Sequence, residues 1–407
     1  MRILCVNSII SEFGGVEFAA MNLAHGLADR GHEVHFLGAQ GQKASLRPSD
    51  QKIAATGQDN LGKIRLHYRA FPRPYALGEN GTLLRKAIWH IQDLMDPANE
   101  HTFSKVVHEI EPDLIILHNL PAIGLNIWRT IRKSGTPCIQ VIHDLGLICL
   151  NMSQFRSGRL CSGLCFACRL QKWFRFSLIR GASNFSFVAP SRATIHGIER
   201  YAPLSSWRTE IISNPNTFLV KPRTWQESDR PRLLYVGRLD PSKGVDMMLR
   251  AAQAAQTMVP FELDILGSGM LEHSLRQVYA NSRWVRFHGS VDQQTIADFM
   301  SRATVLLVPS LWLETVPGVV VHALFAGLPV VASRIGGIPE HIEDQITGRL
   351  LPPGDEKAWS AEIARIVTNP GQITKWSAAC LVAAQKFDPR VALDAYETLI
   401  QTMVVHS

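Results

Sequence analysis

At 407 residues the chain is too long for one comfortable core and fits two domains of roughly 150–200 residues. Its 46% hydrophobic and 19% charged content, without low-complexity tracts, solenoid repeats or an apolar run near the ~20 residues that cross a bilayer, excludes disordered, repetitive and helical membrane-spanning classes. The net charge of +7 is unevenly spread: residues 1–205 carry 23 Lys and Arg against 15 Asp and Glu, and residues 206–407 carry 19 against 20. No acidic residue lies between Asp144 and Glu199, so the first half should meet something anionic. Nucleic acid is disfavoured, because no helix-turn-helix, finger or RNA-binding signature accompanies the charge. The N-terminus enters a strand without a signal-peptide pattern, and a cytoplasmic protein with reduced cysteines is expected.

In chain order, residues 2–7 read as a buried strand, followed by a loop holding Gly14-Gly15 and a helix from about Glu17 to Arg30. Gly31 closes that helix, and 32–38 is a second strand, completing a βαβ unit. Further strands are predicted at 114–118, 138–143 and 185–189. Residues 206–231, with Asn214-Pro215 and Pro222, read as a linker after a first domain of 1–205. A second α/β domain over 232–371 has strands at 232–237, 261–266, 284–288, 304–308 and 328–332. The helices of 372–407 could pack back across the first domain. Two such domains face each other across a cleft at the carboxyl ends of their strands, where ligands of these sheets bind.

The chemistry concentrates at that cleft. In Tyr235-Val-Gly-Arg-Leu-Asp-Pro-Ser-Lys-Gly244 a strand ends and Arg238 and Lys243 follow, two cations suited to a diphosphate whose charge develops as it leaves. In Pro309-Ser-Leu-Trp-Leu-Glu314, Glu314 precedes a helix start set by Pro317 and Gly318. Amides there bind anions, and the carboxylate can accept from sugar hydroxyls or merely complement the helix dipole.

These two segments, with Ser333-Arg-Ile-Gly-Gly-Ile-Pro-Glu340, Gly348, Gly14-Gly15, Gly31-His-Glu-Val34 and Asn214-Pro215, resemble the retaining glycosyltransferases of family 4, whose fold is GT-B. The resemblance covers nearly the whole chain in order. It implies two Rossmann-like domains facing across a cleft, with the nucleotide sugar on the second and the acceptor on the first. Gly14 and Gly15 would then approach donor phosphate and acceptor, Arg238 and Lys243 would clamp the pyrophosphate, and Glu314 would hold the sugar. Gly237, Gly267, Gly269 and His288 would border the nucleotide, and the helix start at Pro317, Gly318 and Val319 would lie near sugar and phosphate. The family's second glutamate falls eight positions after the first, where this chain has His322. A neutral imidazole offers a ribose one acceptor nitrogen where a carboxylate takes both hydroxyls, a loss worth about 1–3 kcal/mol of nucleotide binding.

His143, at a strand end, is expected from the resemblance to reach donor sugar or phosphate; Asp144, His118 and Asn119 are candidates for the acceptor side. Cys149, Cys161, Cys165 and Cys168 form C-x11-C-x3-C-x2-C, which fits a structural zinc held by four thiolates, with reduced thiols, or a disulfide or cluster, as the alternatives. The resemblance extends to a family subset with a cysteine-rich insertion after its His-Asp pair. It implies that catalysis needs no metal or other cofactor, and no Asp-x-Asp pair is present to carry one. Residues 169–180 mix Trp173, Phe174, Phe176 and Ile179 with Lys172, Arg175 and Arg180: an ordinary core helix, or one resting on an anionic inner-membrane surface. The expected activity is retaining transfer from a nucleoside diphosphate sugar to a glycan or lipid-linked glycan of an envelope polysaccharide. The rivals are a catalytically impaired binding partner, favoured by His322, and a nucleotide-sugar epimerase of the same fold.

Overall fold

The computed structural model describes residues 1–10, 14–39, 57–69, 71, 96–121, 123–156, 158–227 and 230–405, apart from the side chains of 57–59 and 405. The first sheet and its helices run β1 (Arg2–Val6), α1 (Gly15–Asp29), β2 (Glu33–Ala39), β3 (Gly57–Leu61), β4 (Ile64–Arg69), α2 (Pro97–Ile110) and β5 (Leu114–Leu117). They continue with α3 (Ile127–Ser134), β6 (Cys138–Val141), a β7 (Phe155–Arg156)–β8 (Arg159–Leu160) hairpin, α4 (Phe166–Leu178), β9 (Phe185–Ala189), α5 (Arg192–Glu199) and β10 (Arg208–Ile211).

The strand order is β10-β9-β6-β5-β1-β2-β4-β3, parallel except for the antiparallel edge pair β3–β4. β1 sits in the middle, with Ile3 opposite Val34 on one side and Leu114 on the other. Such a strand is covered on both faces, which is why it reads as an unbroken apolar run rather than an alternation. Leu4 and Val6 pack on one side with Phe103 of α2, Trp128 of α3 and Leu178 of α4; Ile3 and Cys5 pack on the other with Leu23 and Leu27 of α1.

The second sheet has the order β13-β12-β11-β14-β15-β16, all parallel. Its elements are β11 (Arg232–Val236), α6 (Val245–Gln256), β12 (Glu262–Leu266), α7 (Glu272–Val278), β13 (Val285–Gly289), α8 (Gln293–Arg302), β14 (Val305–Val308), α9 (Gly318–Phe325), β15 (Val330–Ser333) and β16 (Gly348–Leu351). Helices α10 (Glu356–Val367), α11 (Pro370–Ala384) and α12 (Pro389–Val405) end the chain.

Two boundaries differ from the sequence reading. β10 lies inside the expected linker and extends the first sheet through Arg208–Ile211, so the connection between domains begins after it. Of the terminal helices, α11 stays on the second domain, with Cys380 and Ala383 in its core. Only α12 crosses back: Ala392, Tyr396, Leu399 and Ile400 complete the core beneath α1, and Leu393 packs against Gly26. Arg30 bonds Asp394 at 2.6 Å and His32 bonds Glu397 at 2.9 Å along the same seam.

The carboxyl ends of the two sheets meet. Thr315 Oγ1 donates to the His143 carbonyl at 2.9 Å, and Ser191 Oγ donates to the Thr315 carbonyl at 2.8 Å. The Glu340 carboxylate accepts from the amides of Arg192 and Ala193 at 2.9 and 2.8 Å, so a residue of the second domain caps α5 of the first.

Candidate active site

The second-domain wall is built from two loops locked together. After β11, Asp240 accepts from the Ser242 amide at 3.0 Å and tightens a turn over Pro241–Lys243. The Leu311 amide donates to the Ser242 carbonyl at 2.8 Å, joining this loop to the one after β14. The result brings Lys243 and Glu314, 71 positions apart, to 2.6 Å between Nζ and Oε1, with side chains only 19% and 5% exposed. Ser310 Oγ also donates to Glu314 Oε1 at 2.6 Å, and the Lys243 ammonium lies 4.9 Å from the Trp312 ring centre. The cation and carboxylate assigned separate roles from sequence are thus partners of each other. Lysine has three donors and the contact uses one; Glu314 takes both its bonds on Oε1. Gly336 explains how Glu314 is held from behind: φ is 56°, and a Cβ there would come within 2.2 Å of the Glu314 carbonyl oxygen.

Arg238 is different. Its side chain is 71% exposed and, among the described residues, forms an ion pair only with Asp240, at 3.4 Å. Opposite lie Gly14 and Gly15 at the start of α1, where the Glu17 carboxyl folds back over Gly14. Burial raises the pKa of Glu17, while its own backbone amide and the Arg238 charge lower it, so these two side chains sense one another across the cleft.

α9 begins at Gly318 with Pro317 at its cap and no side-chain capping bond. Val320 donates to the Pro317 carbonyl, so Gly318 and Val319 form the positive end of the helix. Gly237, Gly267 and Gly269 are packing positions: a Cβ on Gly267, whose φ is 133°, would meet the Gly237 carbonyl oxygen at 1.9 Å, and one on Gly269 would meet Leu239 backbone at 2.5 Å. They fold the β12 turn onto the Arg238 loop. His288 is engaged with Asp264, Nε2 to Oδ1, at 2.7 Å.

His322 is engaged by the chain that joins the domains. Its ring stacks on Phe218 with centres 4.7 Å apart and planes 12° apart, and Nε2–H donates to the Leu219 carbonyl at 2.9 Å. Burial lowers its pKa, and that carbonyl raises it. The residue anchors the interdomain connection.

On the first-domain side, His143 Nε2 and His118 Nδ1 are 2.8 Å apart and both rings are buried. Burial pushes the His143 pKa down to about 4 and that of His118 well below its usual value, with the His143 charge adding to the latter. Asp144 is pushed up to about 6 by burial, against the Gly146 amide that donates to its Oδ1 at 2.6 Å, the Arg175 charge and the Asn119 side chain. His118, Asn119, His143, Asp144 and Arg175 line a cavity of ≈ 80 Å³. The predicted acceptor residues and the predicted donor histidine therefore share one pocket.

The signs of these shifts make a prediction. His143 binds a proton in the unfolded chain below about 6.5 but in the folded protein only below about 4. Its contribution is full above pH 6.5 and is lost as pH falls to 4, up to about 3 kcal/mol. His143→Asn should flatten the fall in melting temperature between those pH values, as read by scanning calorimetry. Asp144 has the opposite sign: its raised pKa costs stability as pH rises through 6, so Asp144→Asn should melt higher at pH 8.

None of the four cysteines between Cys149 and Cys168 forms a disulfide; Cys149 and Cys168 are buried, Cys161 and Cys165 exposed. The Leu150 amide lies 3.5 Å from Cys168 Sγ. A hydrogen bond from Cys168 draws the Cys149 pKa down to about 6 despite burial, helped by the amides of Gln154, Asn151 and Ser153. Sulfur ligands with such amide donors suit zinc in chemistry. Among the described residues, however, no three His, Cys, Asp or Glu side chains converge to hold an ion.

Sequence reasoning missed Ser310, Trp312, Thr315 and Glu17. Ser310 and Glu314 are four positions apart, and that spacing was the available signal.

Residues 13–215 match the family model described as Glycosyltransferase Family 4, and residues 230–369 match Glycosyl transferases group 1. A phosphatidyl-myo-inositol mannosyltransferase of Mycobacterium leprae is 24% identical over 95% of this chain and 93% of its own length. Sucrose-phosphate synthase from Thermosynechococcus elongatus superposes with a TM-score of 0.77 at 20% identity, over 100% of both chains. HepE from Anabaena, in complex with UDP and glucose, gives 0.70 at 18% identity, over 99% of this chain and 100% of its own. The fold is α/β of the GT-B type.

Proposed function

We propose, for a chain that belongs to the glycosyltransferases of the family 4 type, that it transfers a sugar with retention from a nucleoside diphosphate sugar to a glycan or lipid-linked glycan. The observation that carries this reading is the Lys243–Glu314–Ser310 cluster, set between exposed Arg238 and the start of α9 and facing the His143–Asp144 pocket. In this reading Arg238 and the spare donors of Lys243 neutralise the diphosphate as it leaves. Glu314 Oε2 and neutral His143 orient the sugar, and the pocket of the first domain receives the acceptor. Closure of the two sheets on each other excludes water and favours transfer over hydrolysis. The reading needs no metal in the chemistry and assigns no covalent nucleophile. The mannosyltransferase relative, whose name gives a phospholipid as acceptor, supports a lipid-linked substrate and thereby a role in envelope polysaccharide synthesis at the inner membrane face. The UDP held by a protein of like fold makes uridine the first base to try.

Thermal-shift measurements with UDP, GDP, ADP and dTDP, with and without Mg2+, test the donor site. One nucleotide should raise the melting temperature, equally without Mg2+, and Arg238→Ala/Lys243→Ala should abolish the rise. No response to any of them would sink the donor assignment.

A further inference from the structure

α4 has two unlike sides. Cys168, Gln171 and Leu178 are buried, and Arg175 lines the cavity beside Asp144. Ile179, just past its end, is fully buried, Phe174 and Phe176 pack on the core, and Lys172 donates to the Tyr201 carbonyl at 2.8 Å. Most of the residues singled out in sequence as a membrane face thus point inward. The solvent side is Phe166, Leu170 and Trp173, which are 81%, 56% and 60% exposed. Their spacing, four and then three residues, makes them one stripe along the helix. The adjoining hairpin adds exposed Leu160 with exposed Arg156 and Arg159; Arg169 is exposed on the helix between Phe166 and Leu170, and Arg180 just past its C-terminal end. Among the described residues no ion pair engages these four arginines, and the segment from 145 to 198 holds no acidic residue to neutralise them.

A helix that leaves a phenylalanine, a leucine and a tryptophan to water, ringed by unneutralised arginines, matches the surface of an anionic bilayer in both polarity and charge. We propose that α4 and the β7–β8 hairpin dock on anionic phospholipid, with Phe166, Leu170 and Trp173 in the headgroup boundary and the arginines on lipid phosphates. The proposal rests on the reading of the first domain as the acceptor side, and it deepens that reading. The acceptor pocket lies behind α4, about one helix diameter from the bilayer, within reach of a lipid-linked acceptor whose tail stays in the membrane.

The test is co-sedimentation of the full chain with vesicles of phosphatidylcholine alone and of phosphatidylcholine mixed with phosphatidylglycerol. The wild type should pellet only with the anionic vesicles, less so at high salt. Phe166→Ser/Leu170→Ser/Trp173→Ser should weaken partitioning at least about tenfold, since one fully inserted side chain of this size contributes about that much. Arg156→Gln/Arg159→Gln/Arg169→Gln/Arg180→Gln, which leaves the apolar stripe intact, should lose about fivefold per arginine. An unchanged melting temperature certifies that each variant is folded. A wild type that stays in the supernatant, variants that bind as it does, or self-association of the wild type that the serine variant abolishes would each overturn the proposal; the last would assign the stripe to a second copy. Nucleotide-induced thermal shift is read separately, so failure of the transferase reading and failure of docking are distinguishable.

Discussion

Lys243→Ala is expected to lower kcat/KM for sugar transfer by about 10²–10³-fold, the range for removing one group that stabilises developing charge. It should also cost about 3–5 kcal/mol of folding stability, because it strands a carboxylate that is 5% exposed and keeps only the Ser310 hydroxyl. The two effects separate in a second variant. Lys243→Ala/Glu314→Gln removes both charges, so most of the stability should return while activity stays lost. Urea unfolding and initial rates on the same samples decide the matter. Recovery of activity in the double variant would show that Lys243 acts only as the counterion of Glu314 and never meets the donor.

The second expectation concerns His322. Restoring the glutamate of the family pattern would ordinarily be thought to repair ribose binding. Here it should do the reverse. Position 322 is buried, stacks on Phe218 and presents a donor to the Leu219 carbonyl, so a carboxylate there meets an acceptor and has no partner. His322→Glu should destabilise by about 2–4 kcal/mol and leave nucleotide affinity no better. His322→Gln, which keeps an N–H donor, should cost far less. Tighter nucleotide binding by His322→Glu in titration calorimetry would return the residue to the ribose site.

The sheets were legible because their central strands are covered on both faces. Residues 3–6, 114–117 and 305–308 are apolar without interruption, a pattern that needs no partner to be recognised. The strands that were missed lie toward the edges. β10 is Arg-Thr-Glu-Ile with no buried residue, and β4 carries Arg65, His67 and Arg69 among its apolar positions, so neither has the run that marks a core strand. The site was legible as residue types and not as contacts. Arg238, Lys243, Glu314 and His143 announce anion and hydroxyl chemistry, but the Lys243–Glu314 contact depends on two loops meeting through Leu311 and Ser242. Which side of α4 is covered was left open for a related reason. Phe174 and Phe176 are as hydrophobic as Phe166 and Trp173, and only the packing of the domain core selects which pair is covered.

The return of α12 to the first domain has a consequence for how the chain is made. Synthesis delivers the first sheet early, yet the face beneath α1 lacks Ala392, Tyr396, Leu399 and Ile400 until residues 392–400 have left the ribosome. The core of the second domain draws on α11 and on Phe387 just past it, which precede α12 in the chain. The domain that emerges second therefore finishes first, and the newborn first domain waits with an open apolar seam that α12 must close.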